Sequence, residues 1–190
     1  MEINTKFYPV QTVHGQRVDL KEITMDNASA LFELRSSDDV MQYIERPRTK
    51  NIQEAMDMIQ KMDEFAITGN GFTWGVFLKG SNTMIGTMGF YRIEKENLRG
   101  EVGYLSHPDY WGKGLMSEAL KLALDIGFNQ IKFHSIAACI NPKNESSRKL
   151  LLKHHFQKEA YHRENLFFNN KFYDSEIFAL LVSDYRLKFI

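Results

Sequence analysis

Three strand-like runs joined by short polar segments, then a helix, then another apolar strand: that order limits the chain more than any other feature. The runs are Thr73 to Leu78, Thr83 to Tyr91 and Glu101 to Ser106. Lys79-Gly80-Ser81-Asn82 makes a hairpin turn between the first two, and Glu94 to Gly100 is a polar loop before the third. A helix follows from about Leu115 to Phe128, with Leu115, Ala119, Leu122, Ala123 and Ile126 at helical spacing, and His134 to Ile140 is an apolar strand. Hairpins first and a strand–helix–strand crossover later predict a mixed α+β or α/β sheet, not a bundle or a sandwich.

The flanking segments add elements of both kinds. Residues 17–23 alternate in polarity as a first strand, and Asp26 or Asn27 caps a helix running to about Arg35. Asn51 with Glu54 resembles a capping box, and Ile52, Ala55, Met56, Ile59, Met62 and Phe65 fall on one helical face, ended by Gly69-Asn70-Gly71. Asn144 to His154 reads as a short helix, and Phe156 to Arg163 and Glu176 to Val182 as closing strands. The aromatic stretch Tyr161 to Asp174 reads as a hairpin turning at Asn169-Asn170, compatible with a pocket wall or a subunit contact. Prolines stand apart at 9, 47, 108 and 142, and no repeat or linker marks a boundary, so residues 1–190 are expected to form one domain.

Charge excludes more than it selects. Twenty-four basic and 24 acidic side chains cancel, so the basic surplus that neutralises phosphates in a nucleic-acid binder is absent. No apolar run reaches the roughly 20 residues needed to span a bilayer, and the amino terminus from Met1 to Thr5 lacks leader features. With Cys139 as its single cysteine the chain fits a reducing compartment, and the cytoplasm is the expected location. Neither nucleic acid nor membrane is an expected partner, and the chain is expected to act as a monomer or homodimer. Cys139, in an apolar strand, reads as a core residue rather than a nucleophile. His107, His134, His154, His155 and His162 form no His-x3-His pair with a carboxylate partner, so no metal site is expected. Trp74 and Trp111 read as packing residues.

The segment Pro108-Asp109-Tyr110-Trp111-Gly112-Lys113-Gly114-Leu115-Met116 follows a strand and opens a helix. Its glycines let the backbone approach an anion, and the free amides and dipole of the helix start favour phosphate oxygens. It is neither a Walker A loop nor Gly-x-Gly-x-x-Gly, since Ser117 holds the last position, and alone it reads as a plain helix-entry turn. Upstream stands Glu101-Val102-Gly103-Tyr104-Leu105; downstream stands Asn144-Glu145-Ser146-Ser147-Arg148-Lys149-Leu150-Leu151-Leu152-Lys153-His154-His155-Phe156. These three blocks, in this order, resemble the GNAT family of N-acetyltransferases, and within it the RimJ/RimL type that modifies ribosomal-protein amino termini. Looser matches at Arg17 to Lys21, Met84 to Gly89 and Phe178 to Asp184 extend the resemblance over nearly the whole chain. Two departures stand out. Met116 occupies a place usually held by a small residue, where it either crowds a pyrophosphate or turns into the core. His155 occupies a place usually held by glycine, which implies a positive φ there.

The resemblance implies a twisted, mostly antiparallel central sheet flanked by helices, with the strand at 101–106 splayed from its neighbour at 134–140. It implies acetyl-CoA as donor, without a metal, and a primary amine as acceptor by direct transfer. The acceptor named first is a ribosomal-protein amino terminus. A small amine (polyamine, amino acid, aminoglycoside-like) and a non-catalytic CoA-binding module are the alternatives. Amides from Trp111 and Gly112 through Lys113, Gly114, Leu115 and Met116 to Ser117 are expected to hold the pyrophosphate, with Lys113 and Arg148 as local cations. The backbone of Tyr104, Leu105 and Ser106 is expected to pair with the pantetheine arm, a mode that needs no particular side chain. Asn144 bonds pantetheine or caps its helix. Glu101 is the first candidate for general base, or a solvent-facing carboxylate; Glu164 is the second. Ser147 is the candidate proton donor to the thiolate, or a helix-face serine bonding back to a carbonyl. Tyr104 supplies a hydroxyl or packs.

Overall fold

The computed structural model describes residues 3, 4 and 6–189; Met1, Glu2 and Thr5, within the stretch read above for a leader, and Ile190 lie outside the described residues. The strands are β1 (Val13–His14), β2 (Val18–Glu22), β3 (Phe72–Leu78), β4 (Met84–Glu94), β5 (Arg99–Ser106), β6 (Ser135–Ile140), β7 (Gln157–Phe168) and β8 (Lys171–Leu181). The helices are α1 (Ala28–Ser36), α2 (Asp38–Met41), α3 (Ile52–Ile67), α4 (Leu115–Asp125), α5 (Glu145–Lys153) and α6 (Val182–Phe189). All eight strands form one sheet in the order β1-β2-β3-β4-β5-β6-β8-β7. Every neighbouring pair is antiparallel except β5 and β6. The mixed sheet flanked by helices is the architecture expected from the sequence.

Alternation along the strands gives each sheet face its own core. Val18, Leu20, Trp74, Val76, Ile85, Met88, Phe90 and Val102 face α4, packing against Leu115, Ala119, Leu120, Ala123 and Leu124. Phe77, Met84 and Leu105 face the other way, onto Leu31, Leu34, Ala55 and Ile59 of α1 and α3. Each such side chain fully buried contributes ~1.5–3 kcal/mol. In α3 the Asn51 side chain accepts from the Glu54 amide at 3.0 Å, while the Glu54 carboxylate returns to the Lys50 amide at 2.9 Å. The buried stripe there is Ala55, Ile59 and Ala66; Ile52 and Phe65 are exposed, because the helix rests on α1 and the sheet along a narrower line than its apolar residues suggest.

Several boundaries differ from expectation. The polar loop shortens because β4 and β5 pair down to Glu94 and Arg99, around a bulge that puts Arg92 at φ 46°. After Asp125 the helix widens into a π segment, Ile126–Ile131, which ends at Lys132 in the left-handed region, φ 73°. The last two strands extend toward each other into one long hairpin, with a two-residue turn at Asn169 (φ 49°) and Asn170 (φ 57°). That geometry is the hairpin reading of the aromatic stretch. Strand β1 and helices α2 and α6 are too short, or too weakly amphipathic, to stand out in the sequence.

The parallel pair sets the site. Strands β5 and β6 are in register only at Arg99–Ser135, Gly100–Ile136 and Glu101–Ala137. Beyond Glu101 the ladder stops, and Val102 to Ser106 keep a partner on the β4 side alone. This is the splayed pair.

Candidate active site

At the mouth of the splay the chain builds a cradle of amides. Gly112 (φ 71°) and Gly114 (φ 75°) sit in the left-handed region, and Gly114 is the N-cap of α4. The first intrahelical bond of α4 runs from the Glu118 amide to the Gly114 carbonyl. Among the described residues, none accepts a hydrogen bond from the backbone amides of Gly112 through Ser117. Six consecutive donors at the positive end of a helix dipole are suited to a polyanion. Lys113 is exposed beside them, its Nζ 5.5 Å from the Tyr110 ring centroid.

The loop carbonyls are tied back. Arg17 donates through Nη1 to the Lys113 carbonyl at 3.0 Å and through Nη2 to the Gly114 carbonyl at 3.1 Å. Met116 turns into the core packed under α4 and does not crowd the loop. The Ser117 hydroxyl is engaged with His154 Nε2 at 2.9 Å, so Ser117 offers a backbone amide and not a free hydroxyl. Trp111 is 46% exposed rather than packed inside, and its Nε1 donates to the Ser106 carbonyl at 2.9 Å. Trp74, by contrast, is buried. Arg148 is not available to an anion: it is bound to Glu145, to Glu176 and to the Pro142 carbonyl.

Two hydroxyls bridge the gap between β5 and the helix after β6. Tyr104 Oη lies 2.7 Å from Ser147 Oγ, and Ser147 is buried. Burial holds the Tyr104 phenol far above its ordinary range, against the lowering effect of Ser147, so it stays protonated. Asn144 caps α5, its Oδ1 accepting from the Ser147 amide at 3.0 Å.

Glu101 points to the other face. It alternates with Val102 and Tyr104 along β5 and shares the face of Leu105. There, over the last paired rungs of β5 and β6, lies a cavity of ≈ 300 Å³. Glu101 lines it together with Arg92, Arg99, Cys139, His162 and Asn165, among others. Glu101 Oε2 accepts from Arg92 Nη1 at 3.0 Å. Glu164 does not join this lining: a bulge in β7 puts it at φ 51°, with its amide on Asp174 Oδ1 at 2.8 Å, and turns its neighbours His162 and Asn165 to the cavity instead. Cys139 corrects an expectation. It is exposed to the cavity and not a core residue, because it alternates with the buried Ala138. The surrounding wall still disfavours the thiolate and raises the thiol above its ordinary range, which leaves it a poor nucleophile. Among the described residues no group of three or more His, Cys, Asp or Glu is placed to hold a metal.

The outward-facing amides and the hydroxyl pair lie on the α4 and α5 side of the splayed pair, and the cavity lined by Glu101 lies on the opposite side. Arg92, His162 and Asn165 escape sequence reasoning, because bulges in β4 and β7 decide where they point, whereas Arg99 shares the face of Glu101 through the alternation of β5.

Comparison with known proteins agrees with this geometry. The model of the acetyltransferase (GNAT) domain matches residues 17–157. The N-acetyltransferase p20 of Bacillus licheniformis is 31% identical over 176 residues, covering 93% of this chain and 99% of that protein. The [ribosomal protein uS5]-alanine N-acetyltransferase of Escherichia coli is 30% identical over 125 residues, covering 65% and 64%. A GNAT-family acetyltransferase from Bacillus anthracis superposes with a TM-score of 0.81 at 25% identity, covering 91% of this chain and 99% of that one. A domain match over most of the chain, a relative aligned nearly end to end and a shared fold lead to one conclusion: the chain belongs to the GNAT acetyltransferase family.

Proposed function

We propose that this chain, acting as one domain, transfers an acetyl group directly from acetyl-CoA to a primary amine, and that the amine is a ribosomal-protein amino terminus. The run of six unpartnered amides from Gly112 to Ser117 carries the donor half of this reading. These amides and Lys113 hold the pyrophosphate, while the free edge of Tyr104 and Leu105 pairs with the pantetheine arm. The Ser106 carbonyl is already occupied by Trp111 and contributes less. Glu101 removes a proton from the acceptor ammonium in the cavity. The freed amine attacks the thioester carbonyl through the splay, and the C–S bond breaks as the tetrahedral intermediate collapses. Ser147, backed by Tyr104, protonates the departing thiolate, and the surplus proton on the nitrogen restores the hydroxyl pair. Glu101 is preferred to Glu164 as the base, since the Glu164 side chain is outside the cavity lining.

The acceptor rests on the uS5 alanine N-acetyltransferase, whose name states an alanine of a ribosomal protein as its substrate; alanine has no side-chain nitrogen, so the amine it offers is an amino terminus. Purified protein mixed with acetyl-CoA and a panel of amines, with free thiol followed by a chromogenic reagent, tests both halves. Thiol release with peptides that copy ribosomal amino termini is the expected result. Turnover with small amines alone would move the acceptor to that class, and CoA binding without turnover on any amine would reduce the chain to a binding module.

A further inference from the structure

The cavity over β5 and β6 is charged in a way that selects among amines. Its lining carries two carboxylates, Glu94 and Glu101, and two guanidiniums, Arg92 and Arg99. Glu101 is paired with Arg92 through Oε2, and Glu94 Oε2 accepts from Asn97 Nδ2 at 2.9 Å. The Arg99 side chain forms no hydrogen bond or ion pair among the described residues. Asn165 is held by its oxygen alone, which accepts from Ser175 Oγ at 2.9 Å, so its amide hydrogens are uncommitted. The cavity thus offers Glu101 to an ammonium and, beside it, two sets of donors lacking an acceptor. A polyamine would set further positive charge against Arg92 and Arg99, and an uncharged amine would leave Arg99 unmatched.

We propose that the acceptor is a primary amine with a carboxylate close by, the amine meeting Glu101 and the carboxylate meeting Arg99 and Asn165. This rests on the acetyl-transfer reading above. A free α-amino acid and a peptide amino terminus with an acidic second residue both supply that chemistry. The bidentate geometry of a guanidinium suits a carboxylate better than an amide.

The test is a comparison of isosteric pairs with the full-length protein and acetyl-CoA. Alanine is set against alaninamide, and the peptide amide Ala-Glu-Ala against Ala-Gln-Ala, with spermidine as the polycation. In one pair kcat/KM is expected to favour the carboxylate by about tenfold, the worth of one charged hydrogen-bonded contact, and that pair identifies the source. Arg99→Gln is expected to abolish the preference and Arg99→Lys to keep part of it; Asn165→Ala, in the other wall, is expected to reduce it. Equal values within both pairs, a preference for spermidine, or a preference that Arg99→Gln leaves intact would overturn the proposal while acetyl transfer stands. No thiol release with any acceptor would remove the parent reading, and this one with it.

Discussion

Arg17 Nε lies 2.9 Å from Glu118 Oε2, and this pair joins the turn before β2 to the first turn of α4. Glu118 Oε1 accepts from the Gln16 and Arg17 amides, each at 2.7 Å. Burial opposes the Glu118 charge, but the hydrogen bonds from Arg17, Val18 and Gln16 outweigh it and hold the carboxyl below its ordinary range. The same guanidinium grips the Lys113 and Gly114 carbonyls, which keeps the loop's amides facing outward. Arg17→Ala is therefore expected to raise the Kd for CoA about tenfold, through three lost side-chain hydrogen bonds and a slackened loop. Titration calorimetry checks this; an unchanged Kd would show that the loop holds its shape without the clamp.

Gly114 supplies a sharper test of the loop. At φ 75° an L-residue costs ~1–2 kcal/mol, and a Cβ would also meet Arg17 Nη2 at 3.4 Å. Gly114→Val should weaken CoA binding more than Gly112→Ala, whose Cβ meets nothing within 4 Å. Equal affinities for both variants and the parent protein would sink the phosphate-loop assignment.

The loop was the legible part of this site, and the contrast with the rest is physical. A left-handed φ at Gly112 and Gly114 is a local requirement that glycine meets openly, so sequence marks it. His155 shows the same rule from the other side: it stands where the family resemblance implies glycine, and it adopts φ 64°. Arg17 and Glu118, 101 residues apart, meet only through the tertiary fold. Arg92 enters a β-bulge at φ 46° with no glycine to announce it, and that bulge sets its guanidinium on Glu101. The hairpins and the one crossover are legible as periodicity, but the placing of β8 between β6 and β7 is not. The point where β5 and β6 part is a matter of three backbone pairs, and no side-chain pattern records it.

Tyr104 and Ser147 act as a unit in the proposed mechanism. Ser147→Ala is expected to lower kcat by about 10²-fold, with little change in KM for acetyl-CoA, because it removes a proton donor and not a binding contact. Tyr104→Phe should cost less, and the double variant should cost less than the product of the two, as for residues sharing one hydrogen bond. Strict multiplicativity would show that the pair is structural.

Glu101→Gln preserves shape and the contact to Arg92 but cannot take a proton. A fall in kcat of about 10²–10³-fold is expected, with CoA affinity retained, since the residue faces away from the donor side. Retained kcat at saturating amine would pass the role of base to another group.

His154 gives the fold a pH dependence separate from catalysis. It is 5% exposed, and burial, with Lys153, His155 and Lys121 nearby, pushes its pKa from 6.5 down to about 4. The folded protein thus holds this imidazole neutral where the unfolded chain protonates it. Because the unfolded state binds more protons between those values, stability is full above pH 6.5 and falls as pH drops toward 4. The loss is on the order of 3 kcal/mol across that window. Glu118, whose folded pKa is also depressed, adds its own loss only below the ordinary carboxylate value of 4.5, so the two contributions separate. Urea denaturation from pH 7 to pH 4 should show the slope in the parent protein, and His154→Gln, which keeps a polar contact for Ser117, should flatten it. A parent protein equally stable at pH 7 and pH 4.5 would mean that the imidazole protonates in place, with its bond to Ser117 rearranged rather than lost.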